Sequence, residues 1–208
     1  MANQNQDEAN AASALKSINT PSSWAVFIKF QDRVTKTEFV KASRYRARLK
    51  LASSFREVVL ESISPATASS YFVLLKLSLA YSALEALESL TGKNSIRVRD
   101  QRFHIALSQH QFDKLIQHLI YAAKNQVRPT DGELEKYLVD KPDEDLTAIV
   151  KHSRHAVFHA SITPNSLRLQ NSIERRDLLL GLANSTILAC ESAFDTYVKK
   201  VRQRPKRL

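Results

Sequence analysis

The stretch from Lys151 to His159 brings three histidines, one arginine and one lysine together within nine residues. Histidine titrates near neutral pH and can take up or release a proton during a reaction. Arginine keeps its charge and presents a planar fork of N–H donors that matches a phosphate or carboxylate group. The cluster therefore holds side chains suited to proton transfer beside a bound anion.

A helix from Asp143 to His159 is predicted to position this cluster, and a loop is predicted to follow it at residues 162–166. The apolar stripe of the helix follows three- and four-residue steps through Leu146, Val150, Ser153 and Val157. Arg154 lies at the margin of that stripe, about 100° around the helix from Ser153. His155 and His159 are four residues apart and share a face. Because that face points away from the stripe, it is expected to meet solvent or a second subunit.

Two interpretations of the histidines need no catalysis. Imidazoles four residues apart on a helix can chelate a metal ion. However, Ala156 stands where a metalloprotease motif has glutamate, and no third ligand is evident. We therefore expect no metal and no other cofactor. The second interpretation is that these are surface histidines of a basic protein.

A third interpretation comes from the spacing of Arg154 and His159, which are separated by four residues that begin with the polar His155. This pattern resembles the arginine-x4-6-histidine motif of the HEPN superfamily (higher eukaryotes and prokaryotes nucleotide-binding domains). The segment from Arg154 to Pro164 looks like the RHxxxHG-x-LTP form of bacterial members, with Ala160 where many members have glycine. The segment from Tyr81 to Leu87 resembles an earlier core helix of the family, in which an acidic residue often faces the motif. The resemblance covers residues 64 to about 201.

The resemblance implies an all-α helical bundle of four or five core helices and a symmetric dimer in which two copies of the motif meet. Active family members are metal-independent endoribonucleases. On this basis Arg154 and His159 are the predicted catalytic residues, and His155 and Glu85 are predicted to support them. His159 would act as general acid or base while the 2′-hydroxyl of the RNA attacks its own phosphate, and Arg154 would bind that phosphate.

The same resemblance leaves an alternative, because many family members are non-catalytic dimerisation or RNA-binding modules. Both alternatives predict RNA and a second copy of the chain as partners. A toxin or defence role would add an antitoxin protein.

The composition favours a helical, polyanion-binding protein. The 208 residues carry a net charge of +10 and only three glycines, which favours long helices joined by short turns. The single cysteine, Cys190, excludes an internal disulfide and a cysteine-based zinc site, and its apolar neighbours are typical of a core residue. The polar first residues do not resemble a signal peptide. The most apolar window, Tyr71 to Leu84, is interrupted by Lys76 and is too short to cross a bilayer. We therefore expect a cytoplasmic protein with no membrane partner.

Four regions are predicted along the chain: a flexible arm (1–20), a basic helical extension (21–63), the HEPN-like helical domain (64–201) and a flexible basic tail (202–208). Residues 29–56 hold nine lysines and arginines against two acids, so a helix here could lie along an RNA backbone. The predicted backbone contacts are Arg44, Arg46, Arg48 and Lys50. The alternative is a solvated helix face with Leu49, Ala52 and Phe55 packed inward.

The boundaries of two long helices follow from local signals. Ser64 before Pro65 predicts a helix start, and Thr91 before Gly92 predicts its end. Its expected buried face is Leu74, Leu77, Tyr81, Leu84 and Leu87. A capping box at residues 108–111 predicts a middle helix. A last helix is predicted from Ser172 to Val201, with Leu179, Leu182, Ile187, Cys190 and Phe194 inward.

Overall fold

The computed structural model describes residues 23–59, 61–92 and 168–207, with six single positions between them: His110, Gln111, Lys114, Gln117, Val150 and Arg154. Within these residues the protein is an all-α bundle without strands, as predicted. Its helices are α1 (Ser23–Lys29), α2 (Lys36–Ser54), α3 (Pro65–Thr91) and α4 (Ile173–Gln203). Short 3-10 helices lie at Gln31–Arg33 and Leu169–Asn171, and the six single positions are helical.

The predicted ends of α3 are confirmed. Ser64 caps the first turn by accepting a hydrogen bond from the Thr67 backbone N–H at 3.2 Å, and Pro65 takes the first helical position. Gly92 ends the helix with φ of 88°, a backbone conformation that favours glycine over other residues.

α3 is the central helix of the bundle, packed between α2 and α4. The five residues predicted to form its buried face are all buried, as are the five predicted inward residues of α4. Val150, from the predicted stripe beside the Arg154 cluster, is fully buried in the same core. Glu85 therefore lies on a helix that is anchored by apolar packing, and Val150 anchors the chain four residues before Arg154.

A 3-10 helix and a capping box join α1 to α2. Thr35 caps α2 in a reciprocal capping box: its hydroxyl accepts from the Glu38 backbone N–H at 3.0 Å, and its own backbone N–H donates to the Glu38 carboxylate at 2.8 Å. This orients α1 so that Trp24 and Phe27 pack against Phe194 of α4, with ring centroids 6.4 and 5.8 Å away. Helices on both sides of the predicted boundary at residue 63 thus share one hydrophobic core.

The structure corrects the prediction that the basic tail is flexible, for residues 202–207. α4 continues to Gln203, and the segment after it lies against the start of α2. Arg33 donates from Nη1 to the carbonyl oxygens of Arg202 and Arg204, the latter at 2.8 Å. Arg204 forms an ion pair with Glu38 at 2.7 Å, so contacts across the fold hold the segment in place.

One helix among the described residues, α3, is long and apolar enough to cross a membrane, with a mean hydropathy of 1.3 over its best window. The predicted apolar window, Tyr71 to Leu84, covers only part of this 27-residue helix. Of that best window, 61% is buried inside the fold, as in the core helix of a soluble protein. Lys76 is buried there too, and its Nζ donates to the Phe55 carbonyl oxygen at 2.9 Å.

Candidate functional site

Arg154 lies over the aromatic ring of Tyr81, with its guanidinium carbon 5.1 Å from the ring centroid. Tyr81 is buried in the middle of α3, and Arg154 is half-buried, four residues after the buried Val150. A cation over an aromatic face is attracted by the negative charge density of the ring, and the attraction grows as water is excluded. The motif arginine is therefore held in a defined place on α3.

Glu85 belongs to the same group of side chains. It lies one turn after Tyr81 on α3 and is half-buried. Burial, followed by the negative charges of Glu85 and Glu88, raises the pKa of Tyr81 to about 12, against an opposing effect of Arg154. We call Tyr81, Glu85 and Arg154 the motif cluster. It combines a fixed cation, a carboxylate and a tyrosine that stays protonated at neutral pH.

The other predicted residues of this site, His155 and His159, lie outside the described residues. In the structure, Arg154 and Glu85 both lie near the Tyr81 ring. The position of the histidines stays a prediction.

The predicted RNA-contact residues of α2 are all exposed: Arg44, Arg46, Arg48 and Lys50. Ala52 is buried and Leu49 and Phe55 are half-buried, which matches the packing that the alternative interpretation, a solvated helix face, predicts. The four cations do not form one row. Arg46 lies over the Trp24 ring of α1 at 4.7 Å, whereas Arg48 donates to the Ser82 carbonyl oxygen of α3 at 3.2 Å.

The contact of Arg48 links the basic face of α2 to the motif cluster. Ser82 directly follows Tyr81, so Arg48 and Arg154 both contact the same turn of α3. Both guanidinium groups can donate hydrogen bonds to an anionic ligand at this turn, and Glu85 and Glu88 are the nearby negative charges. Sequence reasoning placed these arginines in different regions of the chain and did not bring them together.

The residues that sequence reasoning missed are aromatic. Tyr81 was assigned to the buried face alone, although its position four residues before Glu85 puts both side chains on one side of α3. Trp24 was not identified as the partner of a cation, although its ring lies under Arg46. Each of these rings contacts an arginine side chain and limits its movement, which the charge pattern of the sequence does not predict.

Neither a metal site nor a cysteine nucleophile is found in the described part of the chain. No group of three or more histidine, cysteine or acidic side chains could hold a metal ion there. Cys190 is fully buried, as predicted, and burial raises the pKa of its thiol well above its ordinary value. Tyr45 donates a hydrogen bond to the Cys190 carbonyl oxygen at 2.9 Å, which ties α2 to α4 beneath the basic face.

Comparison of the chain with protein-family models, curated proteins and solved structures gives no match.

Proposed function

We propose that this protein is a metal-independent endoribonuclease of the HEPN type, acting as a toxin or defence protein at a site shared by two copies of the chain. The observation that carries the proposal is the contact of Arg154 with the Tyr81 ring, one turn from Glu85. The resemblance predicted an acidic residue of this helix facing the motif. The geometry of the described residues is consistent with that prediction.

In the proposed reaction, the 2′-hydroxyl of one nucleotide attacks the adjacent phosphate and the 5′-oxygen of the next nucleotide leaves. His159 takes up or supplies the proton, since imidazole titrates near the working pH. Arg154 binds the non-bridging phosphate oxygens, on which negative charge increases as the new bond forms. The products are a 2′,3′-cyclic phosphate end and a 5′-hydroxyl end, and the reaction needs no metal ion.

The Tyr81 ring would contribute by holding Arg154 in place before the phosphate arrives. A guanidinium can stack on an aromatic face and still direct its N–H donors outward in its own plane. Glu85 also lies near enough to interact with Tyr81, so a negative charge accompanies Arg154 in the motif cluster. Positioned charge of this kind is typically worth about 3 kcal/mol of transition-state stabilisation.

The test is cleavage of RNA by the purified protein in excess EDTA. We expect 2′,3′-cyclic phosphate ends, and we expect Arg154→Ala and His159→Ala each to lower the rate by about 100-fold or more. Arg154→Lys is the matched control, because it keeps the charge but loses the fork, and we expect it to be intermediate. RNA with 2′-O-methyl groups and DNA should stay intact. Cleavage that survives both alanine substitutions contradicts the assignment.

The second candidate is a non-catalytic RNA-binding or dimerisation module of the same type. It is favoured by the exposed cations of α2, which suit a phosphate backbone whether or not the strand is cut. If the wild-type protein binds RNA in EDTA but leaves it intact, this second function replaces the first. Measurement of the mass in solution, with and without RNA, tests the predicted dimer under either function.

A further inference from the structure

A second cationic surface lies at the end of α4, outside the motif cluster. Five exposed cations fall within nine residues: Lys199, Lys200, Arg202, Lys206 and Arg207. We call them the C-terminal basic surface. On α4 the neighbouring Val198 and Val201 are buried, so the lysines and Arg202 occupy the outward half of the last turns.

The backbone of this segment is fixed by contacts that leave these five side chains outside. Arg33 takes up the carbonyl oxygens of Arg202 and Arg204, and the Arg207 backbone N–H donates to the Asp32 carbonyl oxygen at 3.0 Å. The inward cation Arg204 is paired with Glu38. The ordering of a chain segment costs conformational entropy. Because these contacts already order the segment in the folded protein, the C-terminal basic surface is formed before any ligand binds.

Local charges do not neutralise the surface. Of the five cations, Lys206 alone pairs with a carboxylate among the described residues, at 3.5 Å from Asp32 and largely in solvent. The carboxyl end of α4 offsets about half a charge. Roughly 3.5 positive charges therefore remain uncompensated.

We propose that the C-terminal basic surface is a docking site for the sugar-phosphate backbone of single-stranded RNA, which then runs along α2 toward the motif cluster. Residues three apart on a helix, such as Lys199 and Arg202, lie about 5–6 Å apart and can contact successive phosphates. The Glu38–Arg204 ion pair joins this surface to the start of α2. Arg44 follows Glu38 by six residues, or about 9 Å along the helix axis.

An RNA strand fits this surface better than an acidic membrane does. Membrane-surface helices combine cations with apolar side chains that enter the lipid. None of the exposed large apolar side chains among the described residues lies between Lys199 and Arg207. The inference rests on RNA as the partner in the proposed function, but it does not require that the RNA be cut.

The test uses the full chain and a 2′-O-methylated single-stranded RNA of about 20 nucleotides, so that binding is measured without cleavage. The variant is Lys199→Gln, Lys200→Gln and Arg202→Gln together. Each lost phosphate contact lowers the slope of log affinity against log salt by about 0.7 for a single strand, so the slope should fall by about 2. At low salt the affinity should fall at least about tenfold. The matched control is Lys199→Arg, Lys200→Arg and Arg202→Lys, which keeps every charge and should bind as the wild type does.

An unchanged salt slope in a glutamine variant that retains the wild-type helical circular dichroism overturns the proposal. A loss of binding to vesicles with anionic lipids, without a loss for RNA, overturns it in favour of a membrane surface. The docking surface and the endoribonuclease function can each be refuted independently of the other. RNA that is bound with the expected slope but never cut refutes cleavage alone, whereas RNA that is cut through Arg154 with an unchanged slope refutes the docking surface alone.

Discussion

The Glu38 carboxylate makes two kinds of contact, and replacement of Glu38 by glutamine should remove one of them and keep the other. Its Oε2 accepts hydrogen bonds from the Thr35 backbone and hydroxyl at 2.8 and 3.0 Å, and its Oε1 pairs with Arg204 at 2.7 Å. Glutamine can still complete the capping box at the start of α2. The substitution therefore removes chiefly the charge that holds the segment after α4.

The size of the effect follows from the pKa of Glu38. Partial burial acts to raise that pKa, but the hydrogen bonds from Thr35 and the ion pair with Arg204 bring it down from 4.5 to about 2. Full conversion of this shift would be about 3.4 kcal/mol. Because the Glu38 and Arg204 side chains are 24% and 36% exposed, screening by water reduces the contribution to about 1–2 kcal/mol. We expect Glu38→Gln to lower the free energy of unfolding by that amount and Tm by about 2–8 °C.

The pH dependence of this loss has a defined sign. A carboxyl group whose pKa is lowered by folding stabilises the protein fully above its unfolded pKa, and this stabilisation is lost as the pH falls through its folded pKa. The stability difference between wild type and Glu38→Gln should therefore be constant above pH 4.5 and shrink as the pH falls toward about 2. Urea unfolding of both proteins across this range measures the difference directly.

Matched substitutions identify the partner. Arg204→Met removes the same ion pair and keeps most of the apolar stem, so its loss should be similar and should not add to that of Glu38→Gln. Glu38→Ala should cost more, because it also removes one half of the capping box. If the wild type and Glu38→Gln lose stability in parallel on acidification, or if the two single losses add in the double variant, the ion pair does not hold the segment as described.

Two further predictions concern Tyr81 and Cys190. Tyr81→Phe keeps the ring under Arg154 and should cleave RNA nearly as the wild type does, whereas Tyr81→Leu should lower kcat by about 3- to 30-fold with little change in KM; equal rates for the two variants would show that the ring does not position the arginine. Cys190 should not react with a thiol reagent at about pH 8 until urea unfolds the protein, because the buried thiol stays protonated and inaccessible. Rapid labelling of the native protein would contradict its place in the core.

The elements that sequence reasoning located correctly are those with local signals. Ser64 and Gly92 mark the ends of α3 because a cap and a positive φ are properties of a few neighbouring residues. The buried faces of α3 and α4 follow from helical periodicity in the same way. The turn before α2 was missed although its signal was present, since Thr35 and Glu38 have the spacing of a capping box.

Contacts between segments that are distant in the sequence could not be predicted from the sequence. The segment at the end of α4 was predicted to be a flexible tail because its composition is basic. No signal in the neighbouring sequence indicates that Arg33 donates hydrogen bonds to its carbonyl groups. The motif cluster is similar: the resemblance pointed to Glu85, but the Tyr81 ring became part of the cluster only through packing. The contact of Arg48 with α3 also depends on how two helices cross.

The bond between Arg33 and the Arg204 carbonyl oxygen has a consequence for the order of folding, because it joins residues 171 positions apart. Closure of a loop of that length costs about 4–5 kcal/mol of chain entropy before any contact repays it. During synthesis α1 and α2 leave the ribosome long before α4. Until α4 has been made, Phe27 cannot pack against the rings of Phe194 and Tyr197. The nascent chain therefore carries an uncovered aromatic cluster until its last helix emerges, and that interval is when it most needs protection from aggregation.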